Sequence, residues 1–245
     1  MSMALGASPC PFRAGQTWNS FQRHEQKLFE SMRYVSLDLS NLGTWGEGYA
    51  DILRSVGDDM DSFFREMVAC STRKCPYLPK KLTGLVLAKP VKDWTIEDYR
   101  KTFEPIYEPS KVEIQIRAGP NEIPARTPFK GFDSTIPTWW TAYNHIKHQY
   151  YEKMSEATLE NVIDSLGGLA ILNSLHKCSQ TFLVRSGILA ASIGDKKVEK
   201  RVKPEYLLSV LRKSSTGLPA SHTDIASAWL ASRMYIVTLR EDSKA

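Results

Sequence analysis

Residues Tyr49 to Val68 read YADILRSVGDDMDSFFREMV, and their spacing decides the fold class. Tyr49, Ile52, Leu53, Val56, Met60, Phe63, Phe64, Met67 and Val68 recur in steps of three, one, three, four, three, one, three and one. That is the period of an α-helix with a wide apolar stripe turned toward a core. Asp51, Arg54, Asp58, Asp61 and Arg65 fall on the other side. Asp58, Asp59 and Asp61, at i, i+1 and i+3, read as a solvated face rather than a cation site.

Upstream, a helical pattern begins at Thr17, with Trp18, Phe21, Leu28, Phe29 and Met32 near one face. Ser40-Asn41-Leu42-Gly43 interrupts it. Residues 1–15, rich in Ser, Ala, Gly and Pro, read as a flexible N-terminal tail. Downstream, prolines at 76, 79, 90, 105, 109, 120, 124, 128 and 137 forbid a continuous bundle helix. Within that stretch Thr95 to Arg100 reads as a short helix with Thr95 as N-cap and Asp98 three residues later. Val112 to Ile116 alternates with period two and reads as a strand, and Gly84 to Ala88 is a second candidate.

Pro137 suits the first turn of another helical region, Thr138 to Tyr151. A break is expected at Lys153-Met154. Ser155 is expected to cap a further helix whose stripe is Leu159, Val162, Ile163, Leu166, Leu169, Ala170, Ile171 and Leu175. Gly167-Gly168 costs that helix about 1 kcal/mol per residue, which suggests either close packing against a neighbour or a kink. In the last third, Tyr206 to Arg212 reads as a short helix and Met234 to Leu239 as a strand. The basic run Lys196, Lys197, Lys200, Arg201 and Lys203 reads as a solvated loop or, alternatively, a phosphate-facing patch. The expectation is a mainly α chain. A bundle of four or five helices spans 16–178, with a Pro-rich insertion at 71–137 carrying a short β element. A mixed extension occupies 179–245.

Composition narrows the function classes. With 42% apolar and 24% charged residues, wholesale disorder and collagen-like architectures are excluded. A net charge of +5 accommodates an RNA or phosphate partner without specifying one. No apolar run approaches the roughly 18 residues of a membrane span. Residues 1–15 lack the basic-then-apolar order of a secretory leader. Cys10, Cys70, Cys75 and Cys178 form no C-x-x-C pair and read as incidental thiols of a reducing compartment. A cytoplasmic protein with no membrane contact, cofactor or metal is expected. Walker, HExxH and nucleophile-elbow patterns are missing, as is any Ser/His/Asp arrangement legible from spacing.

One segment concentrates chemistry. Asn144 and His148 are one helical turn apart and share a face. His145 borders that face, Lys147 adjoins it, and Tyr143 lies one turn before Lys147. Trp139 and Trp140 precede the cluster, and Tyr150 and Tyr151 follow it. Amide, imidazole and ammonium groups in such a collar can bind phosphate, donate to an oxyanion or move protons near neutral pH. The same residues can instead close a helix–helix or dimer contact, with the two tryptophans as core.

The string Trp139-Trp140-Thr141-Ala142-Tyr143-Asn144-His145-Ile146-Lys147-His148, followed by Glu156 to Val162 and a Leu-rich helix, resembles a group of prokaryotic HEPN-like helical proteins. Arg33-Tyr34-Val35, Asn41 to Glu47, Tyr99-Arg100, the strand at 112–116 and Pro128-Phe129 agree in order. The resemblance covers roughly residues 25–178 and is strongest at 137–165. It implies a four- or five-helix bundle that dimerises along the motif helix. In the ribonuclease members an Arg is followed by a polar residue and, further on, a His. Asn144 and His148 match those last two positions, whereas Tyr143 stands in place of the Arg. A tyrosine hydroxyl cannot supply the fixed cationic fork that stabilises phosphoryl transition states.

Three functions follow as expectations. The first is a non-catalytic or degenerate interaction module. It would be a homodimer or a subunit of a stress or anti-phage defence assembly, as the resemblance implies. The second is a metal-independent endoribonuclease. Paired His148 residues would act as acid and base across a dimer, Asn144 would orient, and Lys147 would neutralise phosphate. The third is RNA or nucleotide binding without cleavage, through Trp139, Trp140, Tyr143, His145 and Lys147.

Overall fold

The computed structural model describes residues 12–72, 89–116 and 123–176, and beyond these 178–179, 182–183, 189–192, 227–230 and 235–239. It is mainly helical. Helices α1 (Ala14–Ser31), α2 (Glu47–Thr72) and α3 (Ile96–Tyr107) precede strand β1 (Val112–Ile116), and helices α4 (Thr138–His148), α5 (Tyr150–Lys153) and α6 (Leu159–Leu175) precede strands β2 (Leu189–Ser192), β3 (Ser227–Leu230) and β4 (Tyr235–Leu239). No helix among the described residues is long and apolar enough to cross a membrane.

Every residue of the Tyr49–Val68 stripe is buried. Helix α2 packs against α1, α4 and α6. Helix α6 is buried on nearly all sides, as its all-round apolar sequence requires. Gly167 and Gly168 permit that. A Cβ on Gly167 would come within 2.3 Å of Ile114 Cδ1, and one on Gly168 would lie 3.3 Å from Met60 Cε and Trp139 Cζ2. The glycine pair is where β1, α2 and α4 close on the central helix.

Several boundaries differ from the sequence expectation. Helix α1 starts at Ala14, and Phe12 is buried with its ring 4.9 Å from Phe63, so residues 12–15 belong to the bundle rather than to a tail. Helix α3 continues through Pro105 to Tyr107, where the proline had argued for an earlier stop. Phe64, Tyr99 and Phe103 form one stacked series, and that packing outweighs the single hydrogen bond a proline forfeits. The Thr95–Asp98 capping box is present. Helix α4 ends at His148, because Gln149 leaves helical geometry at φ −138°, so the break falls before Lys153-Met154. The cap of α6 is Thr158, not Ser155: Thr158 Oγ1 accepts from Asn161 N at 3.2 Å. Leu159 N and Glu160 N donate to Thr44 O and Leu42 O in the α1–α2 connection. That connection selects the start of the helix by taking up the N–H groups that a helix start leaves free.

Strand β1 pairs antiparallel with β4, Ile114 opposite Val237, and bridges Arg126 on its other edge. The expected strand at Met234–Leu239 is therefore present as β4. A second antiparallel pair joins β2 and β3. The Arg126 guanidinium then reaches α6, holding Asp164 through two nitrogens at 2.5 and 2.8 Å and Glu160 at 2.6 Å. The candidate strand at 84–88, the basic run at 196–203 and the helix at 206–212 lie outside the described residues.

Candidate functional site

Helix α4 is the motif helix, and its two faces behave differently. Pro137 precedes its first turn. On the inner face Trp139, Trp140 and Tyr143 are only 1%, 4% and 1% exposed. Trp139 Nε1 donates to the Pro128 carbonyl at 2.7 Å, and its ring meets Phe129 edge-on. Trp140 lies edge-on to Phe64 and Tyr143. The expected stacking surface of Trp139, Trp140 and Tyr143 is thus core: none of these rings offers a free face to a base.

Tyr143, which the sequence resemblance sets against an Arg of the nuclease motif, is received closely by the bundle. Its ring lies on Gly57 of α2, where an added Cβ would fall 2.2 Å from Cδ2. Its hydroxyl donates to Asp58 Oδ1 at 2.7 Å. Lys147, one turn further on, donates to that hydroxyl at 2.7 Å and to Asp58 Oδ1 at 2.9 Å. The three groups form a closed cluster in which the lysine charge faces a carboxylate. Burial, reinforced by Asp58, pushes the Tyr143 phenol up to about 12, against the lowering effect of Lys147. The Tyr143 hydrogen bond and Asp58 hold the Lys147 ammonium above the ordinary lysine range, against the effect of burial. Lys147 is therefore paired within the fold, although it and Asp58 both remain exposed to solvent.

His145 is committed too. Its Nδ1 pairs with Glu156 Oε2 at 2.7 Å, and Lys153 reaches the other oxygen of the same carboxylate at 3.1 Å. Burial would raise the Glu156 pKa, but the His145 and Lys153 contacts outweigh it and bring the carboxyl below its ordinary value.

Asn144 and His148 are different. Both lie within α4, so the spacing places them on one face. Asn144 is half-buried and His148 exposed. Neither has a hydrogen-bond partner among the described residues. Their end of the bundle also carries exposed aromatic surface. Tyr151 is 87% exposed just beyond α4, and Trp45 is 54% exposed where the α1–α2 connection bridges Thr158. Among the described residues the arrangement leaves an amide and an imidazole open. The lysine that would neutralise a phosphate is already paired.

Sequence spacing missed a second polar cluster. Ser20 and His24, one turn apart on α1, both reach Asp59 of α2. His24 Nε2 lies 2.6 Å from Asp59 Oδ2 and 3.4 Å from Ser20 Oγ, while the Ser20 hydroxyl donates directly to the same carboxylate. Burial would raise the Asp59 pKa, but His24 and Ser20 outweigh it and lower it. One edge of a cleft of about 560 Å³ is formed by Ser20, Arg23, Asp59 and Arg13. This is not a nucleophilic triad. In such a triad the imidazole uses separate nitrogens for the hydroxyl and the carboxylate. Here one nitrogen serves both, and the other, Nδ1, is buried without a hydrogen bond.

The acidic stretch on α2 is a solvated face only in part: Asp58 is exposed and Asp59 and Asp61 are half-buried, and each also reaches a neighbouring helix. Asp58 holds α4, Asp59 holds α1, and Asp61 accepts from the Tyr99 hydroxyl of α3 at 3.3 Å. The available signal was the i, i+1, i+3 spacing itself, which fans three carboxylates toward three neighbours.

Comparison with protein-family models, curated proteins and solved structures found no match.

Proposed function

We propose that the chain is a HEPN-like helical interaction module without nuclease chemistry, self-associating through the Asn144–His148 face of α4. The observation that carries this reading is Tyr143. It stands where the nuclease motif has Arg, it is buried on Gly57, and it is tied to Asp58 and Lys147. No cation is left at that position to stabilise charge on a phosphoryl group. What remains outward-facing is a polar pair beside exposed Trp45 and Tyr151, a surface suited to a protein partner. The wider setting, a stress or anti-phage defence assembly, rests on the sequence resemblance.

Light scattering over a concentration series tests the reading. It predicts a particle of twice the 27.7 kDa chain mass. Asn144→Arg with His148→Glu is predicted to return it to one chain mass with the melting temperature unchanged. A monomer at every concentration contradicts self-association.

The second reading is a metal-independent endoribonuclease acting through His148 and Asn144. The single observation favouring it is that these two groups share an open face. It requires a cation other than Lys147, which is paired with Asp58.

A further inference from the structure

Cys70 lies in the last turn of α2, and His176 and Cys178 lie at and just beyond the end of α6. The parallel course of these two helices brings the three together at the end of the bundle opposite Asn144 and His148. One donor atom from each, two sulfurs and a ring nitrogen, lie within 4.8 Å of one another, and all three residues are buried. The His176 ring is enclosed by Phe12, Phe63 and Tyr107, at centroid distances of 4.4, 5.8 and 6.2 Å. Its Nδ1 faces the Tyr107 hydroxyl at 3.3 Å. Among the described residues no nitrogen or oxygen bonds its buried Nε2, and the Cys70 thiol is the group that meets the ring. A buried imidazole facing two thiols is a donor set that suits zinc.

We propose that Cys70, His176 and Cys178 form a zinc-binding site. Sulfur and imidazole nitrogen are the donors zinc prefers, whereas calcium and magnesium require oxygens. Charge selects among the thiophilic ions. Two thiolates cancel a divalent cation, leaving a neutral site that an aromatic shell tolerates, while a monovalent ion would leave a net negative charge there. With Nδ1–H donating to Tyr107, the Nε2 lone pair is the free donor, and the tyrosine fixes ring orientation. Binding releases two protons, one from each thiol, and involves no change of oxidation state. The three protein donors leave one tetrahedral position for a small ligand such as water, entering beside Cys178, the least enclosed of the three. The site would staple the end of α2 to the end of α6.

The experiment uses the full chain, purified under reductant and stripped with chelator. Cobalt(II) is titrated in as a spectroscopic stand-in, and zinc is then added. The expected result is a thiolate-to-cobalt charge-transfer band with tetrahedral d–d bands, saturating at one equivalent and abolished by zinc. The band survives in the Cys10→Ser, Cys75→Ser chain and is lost in the Cys70→Ala, Cys178→Ala chain. Zinc raises the melting temperature of the first but not of the second. The titration of the unmutated chain stands even if a variant misfolds: no band at any cobalt concentration overturns the proposal. So does a band that survives in the Cys70→Ala, Cys178→Ala chain, or one that disappears with Cys10 and Cys75. A Cys70–Cys178 disulfide found by mass spectrometry of the reductant-purified chain also overturns it.

Discussion

The inner and outer faces of α4 are cut from the same eleven residues and do opposite things. Inward, Trp139, Trp140 and Tyr143 are covered by α2, α6 and the segment before the helix. Outward, Asn144 and His148 have no partner among the described residues. A dense aromatic string looks like a binding surface in a sequence, yet here it is the means by which the helix is fixed. Tyr143 shows the division most clearly. Its side chain is part of the architecture, with Gly57 leaving room for its ring and Asp58 accepting from its hydroxyl.

Substitutions along α4 can break this comparison, and the expected effects descend from core to surface. Trp139→Ala removes a fully buried indole and its hydrogen bond, and a loss of about 3–5 kcal/mol in urea unfolding is expected. Gly57→Ala drives a methyl group into the Tyr143 ring, and about 1–3 kcal/mol is expected, with part recovered when Tyr143→Ala is added. Tyr143→Phe keeps the ring and removes the hydroxyl; about 1 kcal/mol is expected. Asn144→Ala and His148→Ala are expected to stay within about 0.5 kcal/mol of the unmutated chain. An outer-face variant that costs as much as Gly57→Ala would erase the distinction between the faces.

A pH series sharpens the boundary between the faces at His145. Glu156 titrates below its ordinary 4.5 in the folded chain because His145 and Lys153 hold its charged form against burial. A depressed folded-state pKa contributes stability that is present above the unfolded value and lost as pH falls through the folded one. Stability is therefore expected to drop as pH falls below about 4.5, and Glu156→Gln is expected to shallow that slope in melts between pH 6 and 3. An unchanged slope would mean the clasp between α4 and the following turn contributes nothing.

Much of this architecture was legible because it is local or periodic. The Tyr49–Val68 stripe, the Leu159–Leu175 stripe, the Thr95–Asp98 box and the alternation at 112–116 each state their element within a few residues. Gly167-Gly168 announced a close approach, though not that Ile114 and Met60 are the neighbours. What escaped was decided by tertiary contact. Helix α3 outruns Pro105 because Phe103 continues the stack begun by Phe64 and Tyr99. Thr158 displaces Ser155 as the cap because Thr44 and Leu42 receive the first N–H groups there. Three aspartates with the spacing of a solvated face hold three different helices. Cys70 meets His176 and Cys178 only through the parallel course of α2 and α6, so no local spacing shows it.

Incubation of the unmutated chain and His148→Ala with total RNA in EDTA tests the central claim most directly. With Tyr143 bonded to Asp58 where the proposed reading would need an Arg, and Lys147 paired to Asp58, both proteins should leave the RNA intact, giving identical traces. Metal-independent cleavage by the unmutated chain that disappears in a folded His148→Ala chain would contradict the account.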